Sequence, residues 1–328
     1  MTTLSNDPVS ALAHTNIALI KYWGKKDERL IIPYTSSLSL TLDQFYTETS
    51  VRFDQSLSAD KVEIDGAAVS GKSWQRVHDF LTVVRQLAGI NAAAEVISLN
   101  HVPIAAGLAS SASAFAALAA AASKAAGLQL TSTDLSRLAR RGSGSACRSI
   151  FGGFVEWQRG HDDTDSYAFP LQQTGLKDIS VIALTVESKP KSISSREGMN
   201  RSVTTSPYYP TWVNVAQNDL VDIKLAIVTN DFTKFGTISE LNAMRMHALT
   251  LSAAPDFMYF NSETLTAMNL VKRLRHQGIE CYYTIDAGPN VKVICQQANK
   301  PQIVGAFTKL LGPKRVTTLQ AGPGVQYL

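Results

Sequence analysis

The 328-residue sequence is poor in the residues that mark metal-binding and disulfide-linked proteins. It has three cysteines, Cys147, Cys281 and Cys295, an odd number without the spacing of a metal site. We expect these thiols to be small buried hydrophobic residues in a reducing compartment. The six histidines are scattered, with no pair at ligand spacing, so no metal site made of protein ligands is predicted.

Neither sign of charge is in large excess. The chain has 31 lysines and arginines against 27 acidic residues, which gives a formal net charge of +4. A nucleic-acid-binding protein would carry a dense basic face, so that class is disfavoured, although a pocket that collects anions is compatible with this balance. The 45% hydrophobic and 18% charged content is typical of a globular protein, with one large domain or two at this length.

Long, strongly apolar runs are also missing. The segment 104–126 is mostly alanine and contains several serines and Lys124, which makes it too weakly apolar for a membrane span. The first residues have neither a basic region nor an apolar run, so no signal peptide is expected. We therefore expect a soluble cytoplasmic protein that binds no membrane.

The common glycine fingerprints of nucleotide-binding proteins are absent, which disfavours a dinucleotide-dependent oxidoreductase. Residues 103–113 instead combine Gly107, Ser110 and Ser111 with the start of an alanine-rich helix. Glycine allows close backbone approach, serines cap helices, and the first helical N–H groups are positively polarised. This pattern predicts an anion cradle. The alternative is a helix over 115–126 that simply packs closely on a sheet.

The order of predicted elements favours an α+β fold over a doubly wound sheet, because strands precede helices in each half. The predicted strands are 13–22, 36–42, 47–53, 61–64, 96–99, 154–157, 179–186, 281–285, 291–295 and 316–320. The predicted helices are 74–88, 115–126, 132–140, 210–230, 233–251, 262–276 and 301–311. We expect an N-terminal phosphate-loop domain over 1–186 and a second domain over 187–328. The polar stretch 187–210 is either a mobile functional loop or partly helical.

Four polar patches outside the anion cradle could carry chemistry. Residues 16–25 place Lys21, Tyr22 and Lys25 at the end of an apolar strand, where they could bind a phosphorylated ligand or simply be solvated. Residues 142–148 place two serines near Arg148, as a carboxylate or phosphate clamp or as a flexible turn with a surface arginine.

The other two patches lie in the second half. Residues 189–196 cluster lysines, serines and Arg196, which also fits an ordinary solvated loop. Residues 286–290, Asp-Ala-Gly-Pro-Asn, fit an Asx turn or a carboxylate base that is directed at a hydroxyl.

Together and in this order, the patches resemble the mevalonate diphosphate decarboxylases. These enzymes belong to the superfamily of galactokinase, homoserine kinase, mevalonate kinase and phosphomevalonate kinase. The resemblance covers nearly the whole chain. The anion cradle alone indicates only the superfamily, whereas the motifs at 16–25 and 142–148 are specific to the decarboxylases. The matching motifs also include Ser36-Ser-Leu-Ser-Leu40, Ser194-Ser-Arg196 and the turn at 286–290.

The resemblance implies an N-terminal domain like domain 2 of ribosomal protein S5, a C-terminal ferredoxin-like domain, and an active site in the cleft between them. It implies ATP with Mg²⁺ as cofactors, without a named protein ligand for the metal, and usually a homodimer. It further implies a function in isoprenoid biosynthesis. By this resemblance, ATP would phosphorylate the C3 hydroxyl of mevalonate 5-diphosphate and leave as ADP, and the intermediate would then lose phosphate and CO₂ to give isopentenyl diphosphate.

The resemblance also implies residue roles. Asp286 would act on the C3 hydroxyl as base or orienter, Arg148 would hold the substrate carboxylate, and Asn16 would orient both Arg148 and that carboxylate. Lys191 would reach ATP or the transferring phosphate. The other implied substrate-binding residues are Tyr22, Lys25, Ser143, Ser145, Ser195 and Arg196. The implied ATP-binding residues are Gly107, Leu108, Ala109, Ser110, Ser111 and Ser113.

Two alternatives remain open from the sequence. A related kinase could use mevalonate or its monophosphate, or stop at the C3 phosphate ester. The cations Lys21, Lys25, Lys191 and Arg196 favour a doubly phosphorylated substrate. A non-catalytic binding module is the other alternative, and the intact pair of Asp286 and Arg148 argues against it.

Overall fold

The computed structural model describes residues 7–102, 110–187 and 192–328. The strands are β1 (Val9–Ile20), β2 (Lys25–Asp27), β3 (Ile32–Pro33), β4 (Ser37–Asp54), β5 (Lys61–Ile64), β6 (Ala67–Ala68), β7 (Ala93–His101), β8 (Phe154–Trp157), β9 (Ala168–Pro170), β10 (Ile179–Leu184), β11 (Cys281–Ile285), β12 (Val291–Gln296), β13 (Val316–Leu319) and β14 (Gln326–Tyr327). The helices are α1 (Gly71–Ala88), α2 (Ser110–Ala125), α3 (Ser132–Gly142), α4 (Ser195–Thr205), α5 (Tyr209–Val228), α6 (Phe232–Leu251), α7 (Ser262–His276) and α8 (Lys300–Leu311). Short 3₁₀ helices lie at Gly144–Ile150 and Pro313–Arg315.

The first sheet has the order β14-β1-β4-β7-β5-β6, with β8 paired to β4 and β9 to β8. Helix α2 packs on β1 and β4, and its alanines from 116 to 122 are completely buried. Small side chains let the helix axis approach the sheet closely, so close packing and an anion site at the helix start are compatible here.

The long strand β4 differs from the prediction of two strands over 36–42 and 47–53. It continues through the intervening residues because it changes partners: its first part pairs with β8 and its second part with β7. Strand β1 pairs along most of β4, with register shifts near His14 and near Leu19. A segment whose alternating hydrophobic pattern weakens in the middle can thus still form one strand when neighbouring strands pair with both of its ends.

The second sheet has the antiparallel order β11-β12-β10-β13. Its inclusion of β10 differs from the expected domain division after residue 186, which would separate β10 from both of its partners. The pairing favours a division between Pro170 and Ile179 instead. The last strand, β14, returns to pair with β1 of the first sheet. The mixed architecture of two large sheets, a two-stranded sheet of β2 and β3, and packed helices confirms the α+β expectation.

One predicted boundary changed. Helix α1 begins at Gly71 with Ser70 as its N-cap, three residues before the predicted start at residue 74. It ends at Ala88 as predicted, and the following Gly89 adopts φ 66° in the left-handed region. The polar stretch 187–210 contains α4, capped by the Ser194 side chain, so the partly helical alternative is correct. No helix of the described ranges has the length and apolar character needed to cross a bilayer.

Candidate active site

A cleft of about 670 Å³ collects residues from both halves of the chain. Its described lining contains six cationic side chains but only two carboxylates, so it is built to receive anions. The sequence-predicted residues that line it are Asn16, Tyr22, Lys25, Ser111, Ser143, Ser145, Arg148, Ser195, Arg196 and Asp286.

Asp286 follows β11 directly, and its side chain is 23% exposed to the cleft. Its Oδ1 accepts a hydrogen bond of 2.7 Å from Lys21 Nζ, and its Oδ2 lies 3.8 Å from Lys292 Nζ. Burial acts to raise the pKa of Asp286, but the charges of Lys21 and Lys292 outweigh burial and lower this pKa to about 2. The carboxyl group is therefore ionised, with two ammonium groups beside it. Burial lowers the pKa of Lys21, while its contact with Asp286 opposes that effect.

Arg148 lies in the 3₁₀ helix after α3 and is only 2% exposed. Its Nη1 donates to Ser37 Oγ at 2.6 Å, and its Nη2 donates to Asn16 Oδ1 at 3.2 Å. Within the described ranges, no carboxylate lies within ion-pair distance of this guanidinium. A buried arginine with only neutral acceptors suits an incoming carboxylate, which would provide the missing charge.

Asn16 connects β1 to the Arg148 segment. Its Nδ2 donates to Ser149 Oγ at 2.8 Å and to the Ser145 carbonyl at 3.1 Å, while its Oδ1 accepts from Arg148. These bonds use both ends of the amide, so the rotamer and the O/N assignment are determined by the network. The structure thus places Asn16 against Arg148, as the resemblance implied.

Tyr22 and Lys25 lie beyond the end of β1. The Tyr22 ring packs on Trp157, and its buried hydroxyl has no hydrogen-bond partner among the described residues. Burial raises the pKa of Tyr22, so the phenol stays protonated and can donate a hydrogen bond. Lys25 Nζ contacts the exposed Glu28 at 2.5 Å, a pair that an anionic ligand can replace at little cost.

The predicted serines separate into two groups. Ser143 Oγ lies 3.3 Å from Ser111 Oγ and 3.4 Å from Ser145 Oγ, which gives the cleft a row of hydroxyls beside the start of α2. Ser113 was also predicted to bind ATP, but its side chain is fully buried and its hydroxyl contacts Thr47 Oγ1 at 2.8 Å. This contact directs the hydroxyl towards β4, and its binding of ATP stays a prediction.

Some predicted residues lie outside the described ranges. These are Gly107, Leu108, Ala109 and Lys191, together with the side chain of Ser110. Ser195 begins α4 and lines the cleft beside the exposed Arg196.

Three cationic residues that lie in the cleft or beside Asp286 were not identified from the sequence alone. Lys72 and Arg76 stand four residues apart, which places them on one face of α1 and could have been noticed. Lys292 sits within an apolar strand, and only the paired sheet shows that it reaches Asp286. Burial lowers the pKa of Arg76, and the charge of Arg196 lowers it further, so these two guanidinium groups repel each other across the cleft.

A smaller pocket of about 200 Å³ adjoins the cleft and shares Arg76 and Ser111 with it. Its walls are largely apolar, from Val62, Val96 and Phe115, with Asn100 as a polar side chain. Apolar walls with a few polar groups are typical of a site for a flat organic ring.

The fold and the cleft define a two-part α+β protein of the small-molecule kinase type, with a cationic cleft and one ionised carboxylate. Residues 13–168 match the diphosphomevalonate decarboxylase-like N-terminal domain, and residues 181–325 match the mevalonate 5-diphosphate decarboxylase C-terminal domain. The chain belongs to the mevalonate 5-diphosphate decarboxylase family. This assignment confirms the resemblance that the sequence motifs indicated.

Individual relatives agree with this assignment. The diphosphomevalonate decarboxylase of Ganoderma lucidum is 36% identical over 324 residues, which cover 92% of this chain and 81% of the relative. The crystal structure of mevalonate diphosphate decarboxylase from Staphylococcus aureus is 45% identical, with a TM-score of 0.95 and 98% of both chains covered. A structure of MDDEF in complex with MVAPP, AMPPCP and magnesium is 46% identical, with a TM-score of 0.94 and the same coverage.

Proposed function

We propose that this protein catalyses the ATP-dependent decarboxylation of mevalonate 5-diphosphate to isopentenyl diphosphate, CO₂, ADP and phosphate. The main observation behind this proposal is that one cationic cleft contains both the ionised Asp286 and the buried Arg148. Arg148 has no carboxylate partner in the described ranges. A substrate with a carboxylate at one end and a diphosphate at the other supplies the charges that the cleft lacks. Family membership supports the same activity.

ATP and Mg²⁺ fit the donors of the cleft. The start of α2 and the Ser111 hydroxyl face the same space as Lys72 and Arg76, which suits nucleotide phosphates. The described ranges contain no group of three or more His, Cys, Asp or Glu side chains that could hold a metal ion, so phosphate oxygens and waters would hold most of the Mg²⁺ shell. When bound, Mg-ATP supplies the phosphoryl group and offsets its charge. A relative was solved with AMPPCP and magnesium, which supports this cofactor set.

The nucleotide base would occupy the adjoining apolar pocket. That pocket meets the cleft at Ser111, beside the start of α2. If the base of a nucleotide binds there, Ser111 and Arg76, which line both spaces, would hold its phosphates near the start of α2. Residues 107–109 would add backbone N–H groups to this phosphate site.

Asp286 would orient the C3 hydroxyl through Oδ2. A carboxylate with a pKa of about 2 is a weak proton acceptor at neutral pH, so orientation would come first, and the hydroxyl proton would pass to Asp286 Oδ2 as the new O–P bond forms. Phosphorylation turns hydroxide, a poor leaving group, into phosphate. Departure of phosphate builds positive charge on C3, and the electrons of the bond to CO₂ then form the double bond.

Arg148 would hold the substrate carboxylate while Asn16 and Ser37 fix its guanidinium. The bidentate fork of arginine determines the direction of the breaking bond as well as its position. Ser143 and Ser145 would flank this carboxylate. Tyr22, Lys25, Ser195 and Arg196 would bind the diphosphate, and Lys191 would reach the transferring phosphate.

The oligomeric state and the cellular location of the protein are two further proposals. We infer a homodimer, because α5 exposes Val221, Leu225 and Val228, a stripe at helical spacing with exposures of 60%, 54% and 47%. Sedimentation equilibrium would test it, and a monomer at micromolar concentration would contradict it.

We also infer a reducing, cytoplasmic location, since Cys281 and Cys295 are unbonded although they lie opposite each other on β11 and β12.

The activity can be tested against the kinase alternative with three substrates. ADP and CO₂ formation would be measured with mevalonate, its 5-phosphate and its 5-diphosphate. We expect the highest kcat/KM with the diphosphate, and CO₂ formed with it. Equal or better turnover of mevalonate or the monophosphate, or ADP without CO₂, would favour a kinase instead.

A further inference from the structure

Lys292 is a buried cation to which the proposed function assigns no role. It lies in the middle of β12, opposite Thr284 of β11 and Ala183 of β10, and its side chain is 1% exposed. Burying an ammonium group in a sheet is costly unless a nearby negative charge or a set of acceptors compensates for it. The position of this lysine therefore needs an explanation beyond packing.

The two oxygens of Asp286 have different surroundings. Oδ1 accepts the hydrogen bond from Lys21 at 2.7 Å. Oδ2 lies 3.8 Å from Lys292 Nζ, too far for a hydrogen bond but close for a charge interaction, and it accepts no hydrogen bond from residues in the described ranges. One oxygen is thus held in place, and the other is stabilised as an anion while it remains open for a ligand.

Lys292 also contacts the far end of the same turn. Its Nζ donates to the Asn290 carbonyl at 3.3 Å, and the Asn290 side chain binds the backbone of Val186 and Glu187. The ammonium group is therefore anchored to the turn that carries Asp286, and the two groups keep a constant separation.

We propose that Lys292 is a positioning residue for the reaction: it stabilises the ionised Asp286 from the Oδ2 side and keeps this oxygen open for the substrate hydroxyl. The inference rests on the proposed function. It assigns different tasks to two lysines: Lys21 fixes the carboxylate rotamer through Oδ1, and Lys292 acts on Oδ2, which accepts no hydrogen bond from the described ranges.

The charged and titratable groups around Asp286 come from four elements. Lys21 follows β1, Lys292 lies in β12, Arg148 lies in the 3₁₀ helix, and His247 lies in α6. Burial lowers the pKa of His247 to about 3, so this imidazole is neutral near pH 7. The ammonium groups of Lys21 and Lys292 are therefore the principal cations on the carboxylate, with Arg148 as a more distant third.

The experiment compares Lys292→Met, which keeps the length of the side chain, with Lys292→Arg, which keeps the charge. Lys224→Met is the matched control, because Lys224 pairs with Glu156 at 2.9 Å outside the cleft. Two quantities are measured: the pH dependence of kcat, and the titration of the Asp286 carboxyl by ¹³C NMR in protein labelled at aspartate Cγ.

In Lys292→Met we expect the Asp286 carboxyl to titrate about one pH unit higher or more. The acid limb of kcat should move up with it, and kcat at pH 7 should fall between about tenfold and a hundredfold. KM for mevalonate 5-diphosphate should stay within about threefold of the wild-type value, since Lys292 does not contact the proposed diphosphate site. Lys292→Arg should return the titration towards the wild type, and Lys224→Met should match the wild type in both readouts.

An unchanged carboxyl titration in folded Lys292→Met would overturn the proposal, whatever happens to the rate. If neither Lys292 variant folds, Asp286→Asn in protein labelled with [ζ-¹⁵N]lysine provides the test. The Lys292 resonance must then move when the carboxylate is neutralised, and a fixed resonance would overturn the proposal. Because the NMR titration needs no substrate, failure of the proposed decarboxylation is recognised separately, as a wild-type protein without product.

Discussion

At the scale of single residues, charge compensation at Asp286 dominates the site. Two ammonium groups and a guanidinium surround one carboxylate, so the carboxylate stabilises its neighbours as much as they stabilise it. Removing it leaves buried cations without a counter-charge, and this cost is usually larger than the net benefit of the intact pair. Asp286 therefore contributes to stability as well as to catalysis.

This compensation makes stability depend on pH. The pKa of Asp286 is lowered to about 2, below the ordinary aspartate value, so its stabilising effect is present above about pH 4 and is lost as pH falls through 2. We expect Asp286→Asn to reduce the free energy of unfolding by about 2 kcal/mol at pH 7. Urea unfolding at several pH values measures it. A difference from the wild type that grows below pH 3 would contradict the assignment.

A substitution at Arg148 tests whether the bidentate geometry of its guanidinium group is needed in addition to its positive charge. Arg148→Lys keeps the cation but cannot contact Ser37, Asn16 and a carboxylate together. We expect kcat to fall on the order of a hundredfold and KM to rise, because the carboxylate is bound in the wrong direction. Steady-state kinetics measure both, with the exposed Arg159→Lys as control. Near-normal kcat would show that charge alone is sufficient.

At the scale of elements, the side-chain amide of Asn290 connects the turn after β11 to the segment that follows β10. Asn290 Oδ1 accepts from the N–H groups of Val186 and Glu187 at 2.8 and 3.0 Å, and Nδ2 donates to the Glu187 carbonyl at 3.2 Å. The turn that carries Asp286 is thereby joined to the start of the polar stretch 187–210.

Removing this amide takes three hydrogen bonds away from the backbone of Val186 and Glu187. We expect Asn290→Ala to lower the free energy of unfolding by about 2 to 4 kcal/mol, against about 1 kcal/mol for Asn299→Ala, whose side chain has a single hydrogen bond to the Glu280 carbonyl. Urea unfolding compares the two variants. Equal losses would mean that the turn is held by other contacts.

The 3₁₀ helix requires glycine at its start. A Cβ on Gly144 would lie 2.8 Å from Tyr22 Cε1 and 2.9 Å from Trp157 Cη2, so Gly144→Ala must displace the phenol. We expect KM for the diphosphate to rise more than kcat falls, because Tyr22 is assigned to substrate binding. Gly305→Ala, with no atom within 4 Å of its Cβ, is the control. Unchanged KM in Gly144→Ala would remove Tyr22 from the diphosphate site.

Elements with a clear local pattern were predicted well. The strand over 61–64 and the helix over 262–276 have the predicted bounds. The long β4 and the membership of β10 in the second sheet were missed, since both depend on which strands pair with them. Hydrophobic patterning indicates that a strand exists but carries no information on its partners.

At the scale of the whole molecule, the site is a property of the assembled chain. Asn16, Arg148 and Asp286 are separated by more than a hundred residues each. The packing of β1 on the 3₁₀ helix and of α6 on both β1 and β11 brings their segments together. The motifs identified most of the cleft because each is locally distinctive. Lys292 has no such motif, and the charge balance around Asp286 is visible only in three dimensions.

The most direct test of the account is the stoichiometry of ¹⁴CO₂ and ADP formed from C1-labelled mevalonate 5-diphosphate and Mg-ATP. The wild type should form equal amounts of both products, and Asp286→Asn should lose both by orders of magnitude while it retains substrate binding. ADP without CO₂ would indicate a kinase that stops at the phosphate ester. Near-normal turnover by Asp286→Asn would contradict the assigned role of the carboxylate.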